Sequence, residues 1–121
     1  MDDYQYDCPS ADIDTLAHVI CDLFPEQTQF AERIDDAGRT SLVIHYVAMR
    51  FGSTARRITI DVRFDPAALS RYRAMPVRLH ARSYAVLRAY VEATLGSLEE
   101  TYANGEAVPR EVEIEMGEDF A

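Results

Sequence analysis

Apolar side chains recur along the chain at two different spacings, and the changes of spacing divide it into elements. Ile13, Leu16, Ala17, Ile20, Cys21 and Phe24 return every three or four positions, while Asp14, His18 and Asp22 fall opposite them. That period predicts an amphipathic helix with one face turned to a core. Ser10 is placed to cap its start, and Pro25, which has no amide hydrogen, forbids its continuation. Beyond the proline the period shortens to two. Residues 28–34 alternate weakly, with Thr28, Phe30, Glu32 and Ile34 on one face. Asp35-Asp36-Ala37-Gly38 then reads as a hairpin turn in which Gly38 takes a positive φ. Residues 41–51 are apolar on both faces, the pattern of a central strand covered on two sides, and Gly52-Ser53-Thr54 turns the chain again. Residues 56–64 alternate cleanly, Ile58, Ile60, Val62 and Phe64 against Arg57, Thr59, Asp61 and Arg63, which predicts a strand with one wet face.

The second half returns to the helical period. Asp65-Pro66 is a helix start, with Asp capping and Pro at the first helical position. Met75-Pro76 ends this helix, because the residue before a proline is pushed out of the α region. Residues 77–80 read as a brief strand or an extended link. From 82 to 102 the stripe comes back in Tyr84, Leu87, Val91, Thr94, Leu95, Leu98 and Tyr102, and Gly105 marks the helix end. Last, Val112, Ile114 and Met116 alternate with Glu111, Glu113 and Glu115, an amphipathic strand. This order predicts an α+β fold of two layers. An antiparallel sheet of three to four strands packs against an N-terminal helix and a long C-terminal helix. No composition break divides the 121 residues, so one domain is expected over 1–121, with 1–10 a flexible lead-in and 117–121 a flexible acidic tail.

Composition adds limits. Hydrophobic residues make up 48% of the chain, enough to close one core and to exclude disorder along its whole length. Residues 1–10 carry three Asp and no Arg, unlike a secretory leader. The most apolar run, 42–49, is short and broken by His45, so no membrane span is expected. The expected location is the cytoplasm. Two cysteines are too few for a disulfide framework, and Cys21, on the apolar side of the first helix, is expected as a buried reduced thiol. Cys8 lies in the polar lead-in and is expected to be exposed. All twelve basic residues are Arg, a usage that, with abundant Ala, fits a GC-rich genome.

Candidate chemistry is sparse. Cys8, His18 and Cys21 are the one cluster of soft ligands, but a structural zinc site needs four ligands in close pairs. His45 and His80 would join only through a contact made by the fold, so no metal is expected. His18 lies four residues from Asp14 and from Asp22, which reads as an exposed ion-pair ladder rather than an oriented general base. The five glycines are scattered singly and form no phosphate-cradling loop. The acidic run from Glu111 to Glu118 lacks the spacing of a calcium loop. No catalytic residue and no cofactor is therefore assigned. The tyrosines of the long helix, Tyr84, Tyr90 and Tyr102, read as core residues with their hydroxyls at its edge.

The charge layout carries more information. Residues 1–49 carry a net charge of −8, residues 50–88 a net +7 and residues 89–121 a net −8, in a chain of −9. Either the basic middle neighbours the acidic ends and is neutralised by them, or it leaves an exposed Arg patch for an anionic partner. Arg56, Arg57 and Arg63 are the candidate partner-binding residues, with Arg57 and Arg63 on the wet face of one strand. An acidic chain without stacking motifs is a poor fit to nucleic acid.

Asp22-Leu23-Phe24-Pro25, the three strands, and the passage from Val62-Arg63-Phe64-Asp65 to Arg71-Tyr72 resemble a family of small proteobacterial proteins classed as a domain of unknown function. The resemblance spans residues 12–100 and implies a fold but no activity and no site residues. In architecture alone, the helix, three strands and long helix also look like class I type III secretion chaperones, which dimerise and bind effector segments; this chain departs from them in ending on a strand. The expected function is a non-enzymatic protein-interaction module, small, acidic and cytoplasmic, with another protein as partner and monomer or homodimer left open. The alternatives are a chaperone-like binder and a small enzyme or ligand-binding protein whose site is assembled only by the fold.

Overall fold

In the computed structural model, residues 10–48 and 56–121 are described. Helix α1 covers Ala11–Ile20 and leads through a 3-10 turn at Cys21–Leu23 into strand β1 (Gln29–Ile34). Strands β2 (Thr40–Ala48) and β3 (Arg56–Phe64) follow, then α2 (Pro66–Ala74), a 3-10 turn at Val77–Leu79, α3 (His80–Ala103) and β4 (Glu111–Met116). The architecture is α+β in two layers, as the periodicities predict. The sheet has the order β1-β2-β3-β4.

Local signals hold in detail at several boundaries. The Asp35 carboxylate accepts hydrogen bonds from the backbone N–H of Ala37 (3.0 Å) and Arg39 (2.9 Å), and Gly38 takes φ +80° to close the hairpin. The Asp65 carboxylate accepts from the Ala68 N–H at 3.0 Å, capping α2 as the Asp-Pro pair requires. Gly105 at φ +77° lets the chain leave α3, with its N–H bonded to the Tyr102 carbonyl at 3.0 Å.

The sheet is mixed rather than wholly antiparallel. β1, β2 and β3 pair antiparallel, but β4 runs parallel to β3, Ile60 opposite Val112 and Val62 opposite Ile114. The physical reason is the connection: α2 and α3 together carry the chain back across one face of the sheet, and such a crossover returns it in the same direction. That face is the core. Leu42, Ile44 and Tyr46 of β2, Ile58, Ile60, Val62 and Phe64 of β3, and Ile114 and Met116 of β4 meet Ile13, Leu16 and Ile20 of α1, Leu69 and Tyr72 of α2, and Leu87, Val91 and Leu98 of α3.

Four local expectations change. Ser10 occupies the N-cap position of α1 but makes no capping bond; its hydroxyl turns to Asp12, and its own N–H donates to Glu32 at 2.7 Å. Cys21 is exposed, not buried, because α1 ends at Ile20 and the tighter 3-10 turn rotates the thiol off the apolar stripe. Residues 77–79 form a 3-10 turn rather than a strand or extended link, because the helical geometry of α3 extends back toward Pro76. Residues 117–121 are not a free tail. Phe120 is fully buried, with its ring 5.2 Å from Phe64 and 5.2 Å from Tyr72, and the Arg71 guanidinium donates to the carbonyls of Ala121 and Glu118. Burial of the Phe120 ring and the two Arg71 hydrogen bonds act together against the entropy cost of ordering these residues. Cys8, the Gly52-Ser53-Thr54 turn and the lead-in through residue 9 lie outside the described residues.

Candidate functional site

The face of the sheet turned away from the helices carries Arg33 of β1, Arg57, Asp61 and Arg63 of β3, and the glutamates of β4. Register puts Arg33, Ser41, Arg63 and Glu115 in one row across it, and Ala31, Val43, Asp61 and Glu113 in the next. Asp61 is almost fully buried in this row, and the Arg33 guanidinium bonds it at 2.5 Å. Burial pushes the Asp61 carboxyl up, while the charges of Arg33 and Arg63 and the Ser41 hydroxyl pull it part of the way back. Arg63 lies 3.5 Å from Asp35, 3.9 Å from Glu113 and 3.7 Å from Glu115, and Arg39 pairs with Glu115 while donating to the Phe64 carbonyl at 3.0 Å. The alternating Glu of β4 therefore stand beside the Arg residues of the neighbouring strands.

The three arginines singled out by sequence separate into two groups. Arg63 is engaged by carboxylates of the chain itself and only about a quarter exposed, which places it in an internal ion-pair network. Arg56 and Arg57 are exposed at the start of β3 and, among the described residues, have no carboxylate partner. Arg57 lies on the open face opposite Val47, a residue 41% exposed. Arg56 pairs with Ala48 and belongs to the other parity of the strand. Six positions along β3 separate Arg57 from Arg63, roughly 20 Å.

Similar pairings neutralise other arginines of the basic middle. Arg73 bonds Asp12, and Arg88 clamps Asp22 with contacts of 2.7 and 3.2 Å while donating to the Val19 carbonyl at 2.8 Å. The Arg88 hydrogen bond holds Asp22 below the usual carboxylate range. Asp22 is thus taken by Arg88, and His18 is left with Asp14 alone, at 3.5 Å and well exposed. The expected ladder loses one of its rungs.

Among the described residues no group of three His, Cys, Asp or Glu is placed to hold a metal. His18 and Cys21 lie at the end of α1, His45 faces Thr59 at 3.0 Å on the sheet, and His80 opens α3. The surroundings of His80 are set by tertiary contacts. Its ring stacks on Tyr72 at 4.2 Å and 28°, its Nε2–H donates to the Tyr72 carbonyl at 3.1 Å, and its Nδ1 accepts from the Tyr84 hydroxyl at 3.4 Å. The i, i+4 spacing of His80 and Tyr84 was legible; the stacking across α2 was not. Burial raises the Tyr72 phenol, and the Tyr84 hydroxyl adds to the shift. The trio braces α2 against the start of α3.

Among the described residues no helix is long and apolar enough to cross a membrane. A scan against protein families matches residues 13–117 to the family described as Protein of unknown function (DUF3022). No curated protein and no solved structure matches the chain.

Proposed function

From the premise that the chain belongs to the DUF3022 family, whose function is unknown, we propose that it is a small, acidic, cytoplasmic protein-interaction module with no chemistry of its own. The observation that carries this reading is the contrast between Arg63, held by internal carboxylates, and Arg56 and Arg57, exposed and without one among the described residues. An Arg beside an exposed Val on an open sheet face has the composition of an interface: apolar contact flanked by a planar, multivalent donor. The described carboxylates Asp12, Asp22, Asp35 and Asp61 are held by guanidinium or backbone groups of the fold, which supports a structural use for them. Another protein suits the patch better than nucleic acid, because a net charge of −9 and the Glu row of β4 repel phosphate.

The test is affinity capture from the native cell with the wild type and with Arg56→Glu/Arg57→Glu. A protein retained by the wild type and lost by the variant, at unchanged melting temperature, is the expected result. Recovery of the same proteins by both would overturn the assignment of Arg56 and Arg57. Capture dominated by nucleic acid would overturn the protein partner.

A further inference from the structure

A second surface lies at the corner between α2 and α3, and it stands independently of Arg56 and Arg57. The longest stretch of the chain without an acidic residue runs from 66 to 91 and holds Arg71, Arg73, Arg78, Arg82 and Arg88. Three of these are used within the fold: Arg73 on Asp12, Arg88 on Asp22, and Arg71 on the carbonyls of Glu118 and Ala121. Arg78 and Arg82 are exposed, and among the described residues no carboxylate reaches them. The 3-10 turn at Val77–Leu79 runs directly into α3, so Arg78 and Arg82 stand four positions apart on continuous helical backbone, about one turn. Between and beside them stand Val77, 79% exposed, and Leu79, 50% exposed. The chain thus places two apolar side chains in water beside two arginines that no described carboxylate reaches.

The corner is also rigid. The Met75 N–H donates to the Tyr72 carbonyl at 3.2 Å, and the Leu79 N–H to the Pro76 carbonyl at 2.9 Å. The His80 ring, stacked on Tyr72 and bonded to its carbonyl, pins the start of α3 to the end of α2. A partner meeting this surface orders side chains but not backbone, which lowers the cost of association.

We propose that this corner docks an acidic segment of a partner protein, one that presents two carboxylates a helical turn apart next to an apolar side chain. Two like charges one turn apart repel, and a pair of carboxylates converts that repulsion into two charge-assisted hydrogen bonds. Contact of the partner's apolar residue with Val77 and Leu79 excludes water from those pairs and strengthens them. A peptide rather than an anionic bilayer is the occupant. Only two exposed apolar side chains stand at this corner, too few to anchor the chain in a membrane.

The probe is a fluorescein-labelled helical peptide carrying Glu at i and i+4 around a Leu, titrated into the full-length protein by anisotropy and by amide chemical-shift mapping. A control peptide replaces each Glu by Gln, and vesicles of phosphatidylcholine with phosphatidylserine form a third arm. The proposal expects binding of the acidic peptide, shifts confined to residues 75–83, and no binding of the Gln peptide. Arg78→Glu/Arg82→Glu should weaken the peptide about tenfold or more, and Val77→Ser/Leu79→Ser should weaken it severalfold. Arg56→Glu/Arg57→Glu should leave it unchanged, which separates this surface from the other patch. These side chains are exposed, so the variants should melt as the wild type does. Absence of peptide binding, binding that survives the corner variants, or binding to vesicles in place of peptide would overturn the proposal.

Discussion

Tyr46 and Asp61 show how much a residue's behaviour depends on what folding places around it. Both are acids for which burial disfavours the charged form. On the helix side of β2, Tyr46 is pushed up to about 12 by burial, with the charge of Glu99 adding to the shift. In an unfolded chain the same phenol ionises near its ordinary value of 10.0. A raised folded pKa means that the neutral phenol favours the folded state. Its contribution is complete below about pH 10 and is lost as pH rises through the folded value. Tyr46→Phe should therefore move the alkaline unfolding midpoint upward, followed by circular dichroism together with the absorbance of tyrosinate. An unchanged midpoint would show that the phenol ionises as if exposed. Asp61 was legible in sequence only as a polar residue on a wet strand face. Its burial against Arg33 and Ser41 depends on which strands lie beside β3, and no local pattern carries that. Cys21 makes the complementary point, since one turn of 3-10 geometry takes a thiol on the apolar stripe out to solvent.

At the scale of elements, periodicity located α3 but overstated the length of its buried face. The predicted stripe ran from Tyr84 to Tyr102, whereas Leu87, Val91 and Leu98 are buried, Leu95 is half-buried and Tyr102 is exposed. A helix of 24 residues is roughly 36 Å long and overreaches nine-residue strands of roughly 30 Å, so part of its stripe has no sheet beneath it. Leu87→Ala should cost ~2–5 kcal/mol, the range for deleting a fully buried leucine, and Leu95→Ala clearly less. Urea unfolding of both variants checks this, and equal losses would mean that the helix is rotated on the sheet. The terminal segment was misread for a related reason. Four of the five residues after Met116 look polar or small, and the fifth, Phe120, has its place in the core only because α2 delivers Tyr72 and β3 delivers Phe64 to the same spot.

For the whole molecule, the charge segregation along the chain is largely undone in space. Carboxylates from both acidic ends reach arginines of the middle: Asp12 to Arg73, Asp22 to Arg88, and Glu113 and Glu115 to Arg63. Glu113→Gln/Glu115→Gln removes two negative charges at a row where the β4 backbone stays paired with β3. That variant should elute from heparin at higher salt than the wild type while melting within a few degrees of it, because exposed pairs contribute about 0–1 kcal/mol each. Identical elution would show that these two Glu do not screen Arg39 and Arg63. The sequence by itself determined the element order, the caps at Asp65 and Gly105, the hairpin at Gly38 and the inward faces of β3 and β4. Each of these depends on contacts within a few residues: a missing amide hydrogen, a side-chain oxygen over a helix start, or the alternation of a pleated backbone. Only the tertiary structure decided that β4 lies parallel beside β3, that Phe120 belongs to the core, that Arg63 is paired with carboxylates, and that Arg78 and Arg82, among the described residues, have none beside Val77 and Leu79. Those outcomes depend on which distant segments become neighbours, and that is set by how the apolar faces of the helices cover one side of the sheet together.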